Sequence, residues 1–381
     1  FSSLLRKEKF PETYTWGADL QGTIPVADWF KFTLGSSYKQ LSWKYEEDYV
    51  NSPREGGAEG EQLFLSPFAN ADFRFFDKSL IVNLGARYDW IRTMDGSNFD
   101  TQASAGVPAY DNKYDSSNEK SFSPKAGIAY HPDEKTTLRA SGGKGFRAPS
   151  LFELYKVQVR GGGTFYRFAN PDLEPEEIWS YDVGAERYLT NSLWGKVSFY
   201  QSFAKDYIGD RFLRSVQFGP PANRRTRNEY ILDNLNEVDI YGIETELQWY
   251  ATNDLTFLAN YTYNISKIEK DKSNESLEGN YLANDPRHKL HAGIRYQNPE
   301  IVNFSIMLNY YAKIYYDLEN RIQDNDFWTV DVSVSRKFFN WMTAYVNVEN
   351  LFDKDYPLFK SAAGDTIAPG VIVLGGVKFE F

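Results

Sequence analysis

One long polar stretch of the chain concentrates aromatic and cationic side chains. Residues 145–176 contain Arg147, Tyr155, Arg160, Tyr166 and Arg167. Guanidinium groups pair with anions in a fixed planar geometry, and they also stack on aromatic rings. We therefore take these five residues as the candidate ligand-binding residues, and the ligand that would suit them is an anionic compound that contains a ring.

The chain has few residues that would suit a metal site, a catalytic site or a nucleic-acid-binding site. The chain has 3 histidines and no cysteine, so disulfides and thiolate metal sites are excluded, and a histidine-based metal or general-base site is not expected. Four aspartates, Asp95, Asp100, Asp111 and Asp115, are possible oxygen ligands, but their spacing matches no calcium-binding loop. The net charge of -10 disfavours nucleic acid as a partner. We predict no catalytic residue, no metal site and no cofactor.

The elements that must position this stretch alternate between apolar and polar residues at a period of two. In the clearest segment, residues 78–92, one face carries Leu80, Val82, Leu84, Ala86, Tyr88 and Trp90. The other face of that segment carries polar residues, among them Asn83, Arg87 and Asp89. This alternation indicates β-strands with one apolar face. No stretch approaches the roughly 18 continuous apolar residues that a membrane helix needs, so any crossing of a membrane must be by strands.

The connections alternate between short turns and long polar loops. Turns such as residues 190–192 and 252–254 are rich in Asn, Asp and Ser, which are standard turn residues. The longer loops are residues 46–59, 93–119, 145–176, 207–228, 267–284, 317–325 and 352–368. Short periplasmic turns and long extracellular loops are the asymmetry of outer-membrane barrels. Counting the segments between them gives about fifteen strands.

The last eleven residues support the same interpretation. Val371, Val373, Val377, Phe379 and Phe381 lie on one face of a strand, and its other face is polar. A terminal strand of this kind must be paired, and closing a sheet into a barrel removes its edge. An aromatic content of 17% suits the two aromatic belts of such a barrel. The alternative is the terminal strand of a soluble sandwich.

Three motifs then carry a family resemblance. Residues 145–155 read GFRAPSLFELY, residues 170–176 read NPDLEPE and residues 347–356 read NVENLFDKDY. Together they resemble the FRAP box, the NPxL box and the C-terminal NLFDxxY box of TonB-dependent receptors. The terminal Phe381 also resembles the C-terminal signature of bacterial outer-membrane proteins.

The resemblance implies an all-β chain, an antiparallel transmembrane β-barrel in the bacterial outer membrane. Family members have a barrel of 22 strands and an N-terminal plug. Residues 1–381 are therefore expected to be the C-terminal portion, about 15 strands of a probable 22-stranded barrel, with the plug and first strands missing. The odd strand count and the lack of a visible targeting signal agree with this expectation.

The predicted function is TonB-dependent uptake of a metal chelate such as a ferric siderophore, cobalamin or haem. TonB would act through the missing plug, and outer-membrane lipid and lipopolysaccharide would be further partners. The barrel pattern alone equally allows a passive porin or a substrate-specific channel, and an outer-membrane enzyme is a more distant alternative. No histidine lies between the FRAP and NPDL motifs, which makes haem less favoured, although tyrosine can also ligate haem iron.

Two points about arginines stay open. Pro149 must end the strand near Lys144, so Arg147 lies at the barrel mouth, where it either contacts a ligand or braces the loop. The basic cluster Arg224, Arg225 and Arg227 either attracts an anionic chelate, touches lipopolysaccharide phosphates or is solvated. We expect loop 145–176 to carry more of the ligand contact than the other loops.

Overall fold

The computed structural model describes residues 6–50, 52–102, 107–298, 300–361 and 364–380. These residues form mainly β-strands, as their period-two pattern predicts. The strands, in chain order, are β1 (Arg6–Lys9), β2 (Tyr14–Ala27), β3 (Phe30–Tyr49), β4 (Glu55–Phe75), β5 (Leu80–Asp100), β6 (Tyr110–Tyr114), β7 (Ser117–Asp133), β8 (Thr136–Arg147), β9 (Gln158–Arg160), β10 (Phe165–Phe168), β11 (Glu176–Tyr188), β12 (Leu193–Phe218), β13 (Arg225–Tyr250), β14 (Leu255–Asp271), β15 (His288–Asn298), β16 (Val302–Tyr311), β17 (Ile314–Tyr315), β18 (Gln323–Asp324), β19 (Phe327–Phe338), β20 (Met342–Glu349), β21 (Pro357–Ser361), β22 (Gly364–Ile367) and β23 (Ile372–Phe379).

Fifteen of these strands form the wall of the molecule within the described ranges. They pair antiparallel in the order β2, β3, β4, β5, β7, β8, β11, β12, β13, β14, β15, β16, β19, β20, β23. Among the described residues no pairing joins β23 to β2, so the sheet is open. The prediction of about fifteen antiparallel strands in an incomplete barrel is confirmed.

The two faces of the wall are polarised in the direction that the sequence predicts. Leu84 and Tyr88 on β5 are 47% and 41% exposed, whereas Asp89, on the opposite face of the same strand, is 1% exposed. On that face the Ser66 hydroxyl donates to Asp89 Oδ1 at 2.6 Å. The apolar side chains thus face outward, where a membrane would cover them, and the polar side chains face the interior.

Most of the remaining elements lie between wall strands in the long loops, and β1 precedes the first wall strand. The helix α1 (Leu151–Tyr155) and strands β9 and β10 lie in loop 145–176, together with a 3-10 turn at Gly161–Gly163. Strand β6 pairs with β5, β1 with β3, β17 with β18 and β21 with β22. Two further 3-10 turns are Pro221–Asn223 and Glu275–Leu277. In the parts of the chain described here, no helix is long and apolar enough to cross a membrane.

The C-terminal motif forms a turn that is fastened to the wall. The backbone N–H of Asn350 donates to Asp331 Oδ1 at 2.9 Å, and the Asn350 side chain bonds both the N–H and the carbonyl of Lys354. Tyr356 stacks on Phe327 with ring centroids 4.5 Å apart. The motif therefore closes the loop after β20, and these contacts give its Asn and Tyr a structural role.

Candidate ligand-binding site

Loop 145–176, which we call the strap, runs from β8 to β11 and carries all five candidate residues. Its helix α1 begins at a capping box, in which the Ser150 hydroxyl accepts from Glu153 N–H and the Glu153 carboxylate accepts from Ser150 N–H. Strand β8 ends at Arg147, three positions later than predicted, because it stays paired with β11 as far as Glu176. Pro149 then ends the ladder, as expected.

One end of the strap is fastened to β4 and β5 through Tyr155. The ring is 2% exposed, and it lies so close to Gly60 and Gly96 that a Cβ on either glycine would overlap it. Asn98 Nδ2 donates to the carbonyl oxygen of Tyr155 at 2.8 Å. Burial raises the pKa of Tyr155 to about 12. Tyr155 is therefore placed to hold α1 against the wall, and its ring does not open onto the lumen.

A small apolar core forms around this contact. Ring stacking with Tyr114 places the two centroids 5.4 Å apart, and Gln62 Nε2 donates to the Pro149 carbonyl at 2.9 Å. The buried members of the core come from the strap and from three wall strands, and they are Ala58, Leu151, Leu154, Tyr155, Leu173, Ile208 and Leu232. The core thus forms at the mouth, where loops meet the wall.

The other end of the strap is fastened to β13. Strand β10 pairs with β13 in parallel, with Phe165 opposite Asn228 and Phe168 opposite Ile231. Asn170 Nδ2 donates to the Leu232 carbonyl at 2.8 Å. β13 pairs with β14 only over residues 236–250, so β10 occupies part of the free edge above that pairing. The strap consequently reaches from the β4–β5 part of the wall to β13.

Arg147 is held by two carboxylates of the strap. Its Nη1 lies 2.8 Å from Glu153 Oε2, and its Nε lies 2.5 Å from Glu176 Oε2. Glu153 also caps α1, so the three side chains join the end of β8, the helix and the start of β11. This geometry favours the bracing interpretation of Arg147 over direct ligand contact.

Tyr166 lines a cavity of about 360 Å³ beside β10. Tyr110, Tyr114 and Phe168 contribute aromatic walls to this cavity, and Arg214, Arg227 and Glu229 contribute charge. The Arg227 guanidinium carbon lies 5.4 Å from the centre of the Tyr166 ring. Burial raises the pKa of Tyr166 to about 12, so the phenol is neutral and can donate a hydrogen bond.

The charged part of this cavity is net positive. Glu229 accepts from Arg214 Nε at 2.7 Å and from Arg227 Nε at 2.9 Å. Burial alone would raise the pKa of Glu229, but the two guanidinium groups hold that pKa below its usual value. Two cations share one carboxylate, and the excess charge lies beside aromatic walls. The cavity therefore suits an anionic ring.

Arg160 lines a second cavity, of about 490 Å³, on the β3–β5 side of the strap. Lys156 also lines it, with Nζ 3.2 Å from the centre of the Tyr45 ring and 3.6 Å from Glu47 Oε2. Burial lowers the pKa of Lys156 to about 8, although Glu47 opposes this shift. Tyr110 lines both cavities, so the two lie side by side.

Arg167 lies apart from both cavities. Its Nη1 is 3.3 Å from Asp210 Oδ1, and its guanidinium carbon is 6.0 Å from the centre of the Phe152 ring. The buried Nε has no hydrogen-bond partner among the described residues. Of the five candidates, Arg160 and Tyr166 thus line cavities, and Arg147, Tyr155 and Arg167 support the strap.

Two members of the basic cluster also belong to this region. Arg225 donates to the carbonyl oxygens of Gly161 and Gly162, and Arg227 is 4% exposed against Tyr166. Arg225 stays exposed while it makes these bonds, so the expectation of a solvated cluster fails only for Arg227, and contact with lipopolysaccharide stays a prediction. Sequence reasoning missed Lys156 and Tyr110 as parts of the site, because neither residue lies within a recognisable motif. The sequence does mark the basic cluster that contains Arg227 as a candidate for attracting an anionic chelate.

The three histidines lie in or beside the wall, and each bonds one neighbour. Their Nδ1 atoms lie within hydrogen-bond distance of Thr137, Tyr261 and Asn309. Over the ranges that the structure describes, no group of three or more His, Cys, Asp or Glu side chains could hold a metal ion.

The fold and the motifs at its mouth define a family. Residues 5–351 match the family described as TonB dependent receptor-like, beta-barrel. The chain therefore belongs to the TonB-dependent receptors, which are outer-membrane β-barrels, and the predicted family, fold class and localisation are confirmed.

Among particular proteins, the chain is 27% identical over 248 residues to the iron-regulated outer membrane virulence protein of Vibrio cholerae, covering 61% of this chain and 36% of that protein. It is 25% identical over 239 residues to the vitamin B12 transporter of Photobacterium profundum, covering 60% and 33%. The crystal structure of the ferric yersiniabactin uptake receptor of Yersinia pestis superposes with a TM-score of 0.74 and 15% identity, covering 99% of this chain and 55% of that one, and shows the shared fold.

The chain spans about a third of the length of the curated relatives that it matches, 36% and 33% in the two cases above. Those relatives are named as an outer-membrane virulence protein and a transporter, and the family is one of receptors and not of enzymes. The alternative of a passive porin gains no support from these similarities.

Proposed function

We propose that the protein to which this chain belongs takes up a metal chelate across the outer membrane by a TonB-dependent route. The chelate would be a ferric siderophore, a cobalamin or haem. The observation that carries the proposal is the mouth itself, where the strap places two cavities of about 360 and 490 Å³ side by side. Aromatic rings and cations line both cavities, and the cations outnumber the carboxylates in each. Cavities of this size and composition suit small ligands with rings and negative charge.

In this proposal Arg160 and Tyr166 contact the ligand. Tyr166 offers a neutral phenol and an aromatic face beside Arg227, and Arg160 presents an exposed guanidinium whose Nη2 donates to Gln158 Oε1 at 2.8 Å. Arg147, Tyr155 and Arg167 act through the strap, because their contacts are to strap or wall residues. The whole receptor, its coupling to TonB through a plug and its contacts with lipid and lipopolysaccharide are parts of the same proposal.

The test of ligand class is a binding screen of the full-length receptor against ferric enterobactin, cyanocobalamin and haemin. We expect one of the three to bind, and its uptake into cells to stop when the proton gradient is collapsed. In planar bilayers the receptor should show negligible ion conductance. Steady open-channel conductance with uptake that does not depend on the gradient would contradict the proposal.

The test of the site compares Tyr166→Ala and Arg160→Ala with Arg224→Ala. A hydrogen bond to a charged group is worth on the order of 1.5 to 3 kcal/mol, so its loss should weaken binding roughly ten- to a hundredfold. Arg224 is exposed on the same side of the mouth, and within the described ranges its side chain has no hydrogen bond or ion pair. Arg224→Ala should therefore bind like wild type, and equal affinities for all three variants would place the ligand elsewhere.

A further inference from the structure

The guanidinium of Arg225 reaches from one extracellular loop to another. Arg225 begins β13, next to the turn that joins it to β12, whereas its bonding partners lie in the strap. Nη1 donates to the carbonyl oxygen of Gly162 at 3.0 Å, and Nη2 donates to that of Gly161 at 2.9 Å. A planar guanidinium can hold two successive carbonyls in this way, whereas the single ammonium of a lysine cannot reproduce the fork.

The turn that Arg225 holds has an unusual backbone. Gly161, Gly162 and Gly163 have φ angles of 59°, 60° and 93°, a left-handed region that residues with a Cβ adopt only at a cost. Glycine permits this path but does not fix it, because glycine also has the most conformational freedom to lose. Inside the strap the Thr164 hydroxyl donates to the Gly161 carbonyl at 3.0 Å, and the two bonds from Arg225 add a restraint from the neighbouring loop that also reaches Gly162.

This turn forms part of the wall of the 490 Å³ cavity. Gly162, Gly163 and Phe218 line the cavity, and Arg160 precedes the turn. The Arg225 guanidinium carbon lies 5.8 Å from the centre of the Phe218 ring. Arg225 is not itself one of the lining residues, so its influence on the cavity passes through the groups that it holds.

Arg225 also lies directly before the rungs that join strap and wall. The Asn228 N–H donates to the carbonyl oxygen of Thr164 at 2.8 Å, and the parallel ladder continues from Phe165 to Phe168. If the turn were free to move, the hydrogen bond between Asn228 and Thr164 would shift. Tyr166, which lies two residues after Thr164, would shift with it.

We infer that Arg225 is a positioning residue, which fixes the Gly161–Gly163 turn and thereby the shape of the ligand cavity from a neighbouring loop. The inference rests on the proposed function in one respect, because it takes this cavity to be the one that receives the chelate. The restraint of the strap by Arg225 can be measured without any ligand.

The experiment is hydrogen–deuterium exchange of the full-length receptor, comparing wild type with Arg225→Ala, Arg225→Lys and the matched control Arg224→Ala. We expect peptides covering residues 157–168 to exchange at least tenfold faster in both Arg225 variants. The control should exchange like wild type. Peptides from the wall strands, apart from residues 225–231 that adjoin the strap, should be unchanged in all four proteins, which shows that the barrel has folded.

Arg225→Lys distinguishes two explanations, the pair of hydrogen bonds to the Gly161 and Gly162 carbonyls, which we call the two-carbonyl clamp, and the positive charge alone. If Arg225→Lys exchanges like wild type, a positive charge is sufficient and the two-carbonyl clamp is wrong. Unchanged exchange in Arg225→Ala would also overturn the inference. If Arg225→Ala fails to fold, the exchange of Arg225→Lys compared with wild type decides whether the inference holds.

Binding then tests the link to the cavity. Whichever of ferric enterobactin, cyanocobalamin and haemin binds wild type should dissociate at least tenfold faster from both Arg225 variants. If an Arg225 variant has a mobile strap but releases the ligand at the wild-type rate, the turn does not shape the site. If none of the three binds wild type, the proposed function fails, while the exchange data still decide whether Arg225 positions the strap.

Discussion

The wall and the strap are built on different physical rules. In the wall, every strand follows the same pattern, with apolar side chains outward and polar side chains inward. Neighbouring strands form hydrogen bonds between their backbone N–H and C=O groups. In the strap, each fastening depends on a few particular contacts, such as Tyr155 against Gly60 and Gly96 or Asn170 on the Leu232 carbonyl. The wall should therefore tolerate single substitutions that keep its apolar–polar alternation, whereas the strap has few contacts to lose.

The burial of polar groups shows the same difference. The wall buries polar side chains such as Ser66 and Asp89 on its inner face and exposes Leu84 on its outer face. The strap buries apolar side chains such as Leu151 and Leu154, as a small soluble domain would. One chain therefore uses the membrane as the apolar partner of its wall, and among the residues that the structure describes its apolar core lies at the mouth.

The largest effect should come from charging the outer face of the wall. Leu84→Arg places a cation where lipid would contact β5, and such a charge costs roughly 2–4 kcal/mol near the bilayer midplane. We expect the free energy of unfolding of the receptor from phospholipid vesicles to fall by about this amount. Leu84→Ile keeps the face apolar and should change little, and equal stabilities for the two variants would mean that β5 does not face lipid.

A smaller effect is expected from crowding the Tyr155 contact. A Cβ at Gly96 would overlap the Tyr155 ring, whereas a Cβ at Gly22 on β2 would meet no atom within 4 Å. Overpacking typically costs about 1–3 kcal/mol. Gly96→Ala should therefore loosen α1 and speed proteolysis within residues 151–168, while Gly22→Ala should behave like wild type. Equal proteolysis would show that Tyr155 does not hold the strap.

The smallest effect is a pH dependence through Lys156. Its pKa is about 8 in the docked strap, mainly because of burial, against an ordinary value of 10.5. Between these two values the docked strap binds fewer protons than the released one, so docking becomes more favourable as pH rises through this range. Exchange of residues 157–168, corrected for intrinsic rates, should slow from pH 7.5 to 9.5.

The groups that face Lys156 are Tyr45, Glu47, Glu8 and Arg6, which come from β3 and β1. Lys156→Met keeps much of the side-chain length and removes the titrating group, so this variant should lose the pH dependence. A dependence that persists in Lys156→Met would assign it to another group.

The wall could be predicted from the sequence because its pattern is local and repeated. The period-two alternation in residues 78–92 and the turn residues between strands are sufficient to give the strand number and the lipid-facing side. The strap motifs also marked the mouth. A local sequence pattern does not show which residues from distant parts of the chain contact one another at the mouth.

Arg225 and Tyr155 illustrate this limit. Both carry side chains that could bind a ligand, and their sequence neighbours give no sign that one holds two carbonyls of the strap and the other fills a space left by two glycines. Tyr166, by contrast, lies on a strand whose alternation turns it toward a cavity. Side chains whose roles depend on a partner far along the chain require the three-dimensional structure.

The parallel pairing of β10 with β13 also sets an order of events during folding. Residues 165–168 can complete their ladder only after residues 228–231, which follow two intervening wall strands, have taken their place. Closing so long a loop costs entropy that the few rungs of β10 cannot offset alone. The wall must therefore assemble first, with the mouth still open, and pulse-labelling during refolding should show amides of β10 becoming protected later than those of β12 and β13.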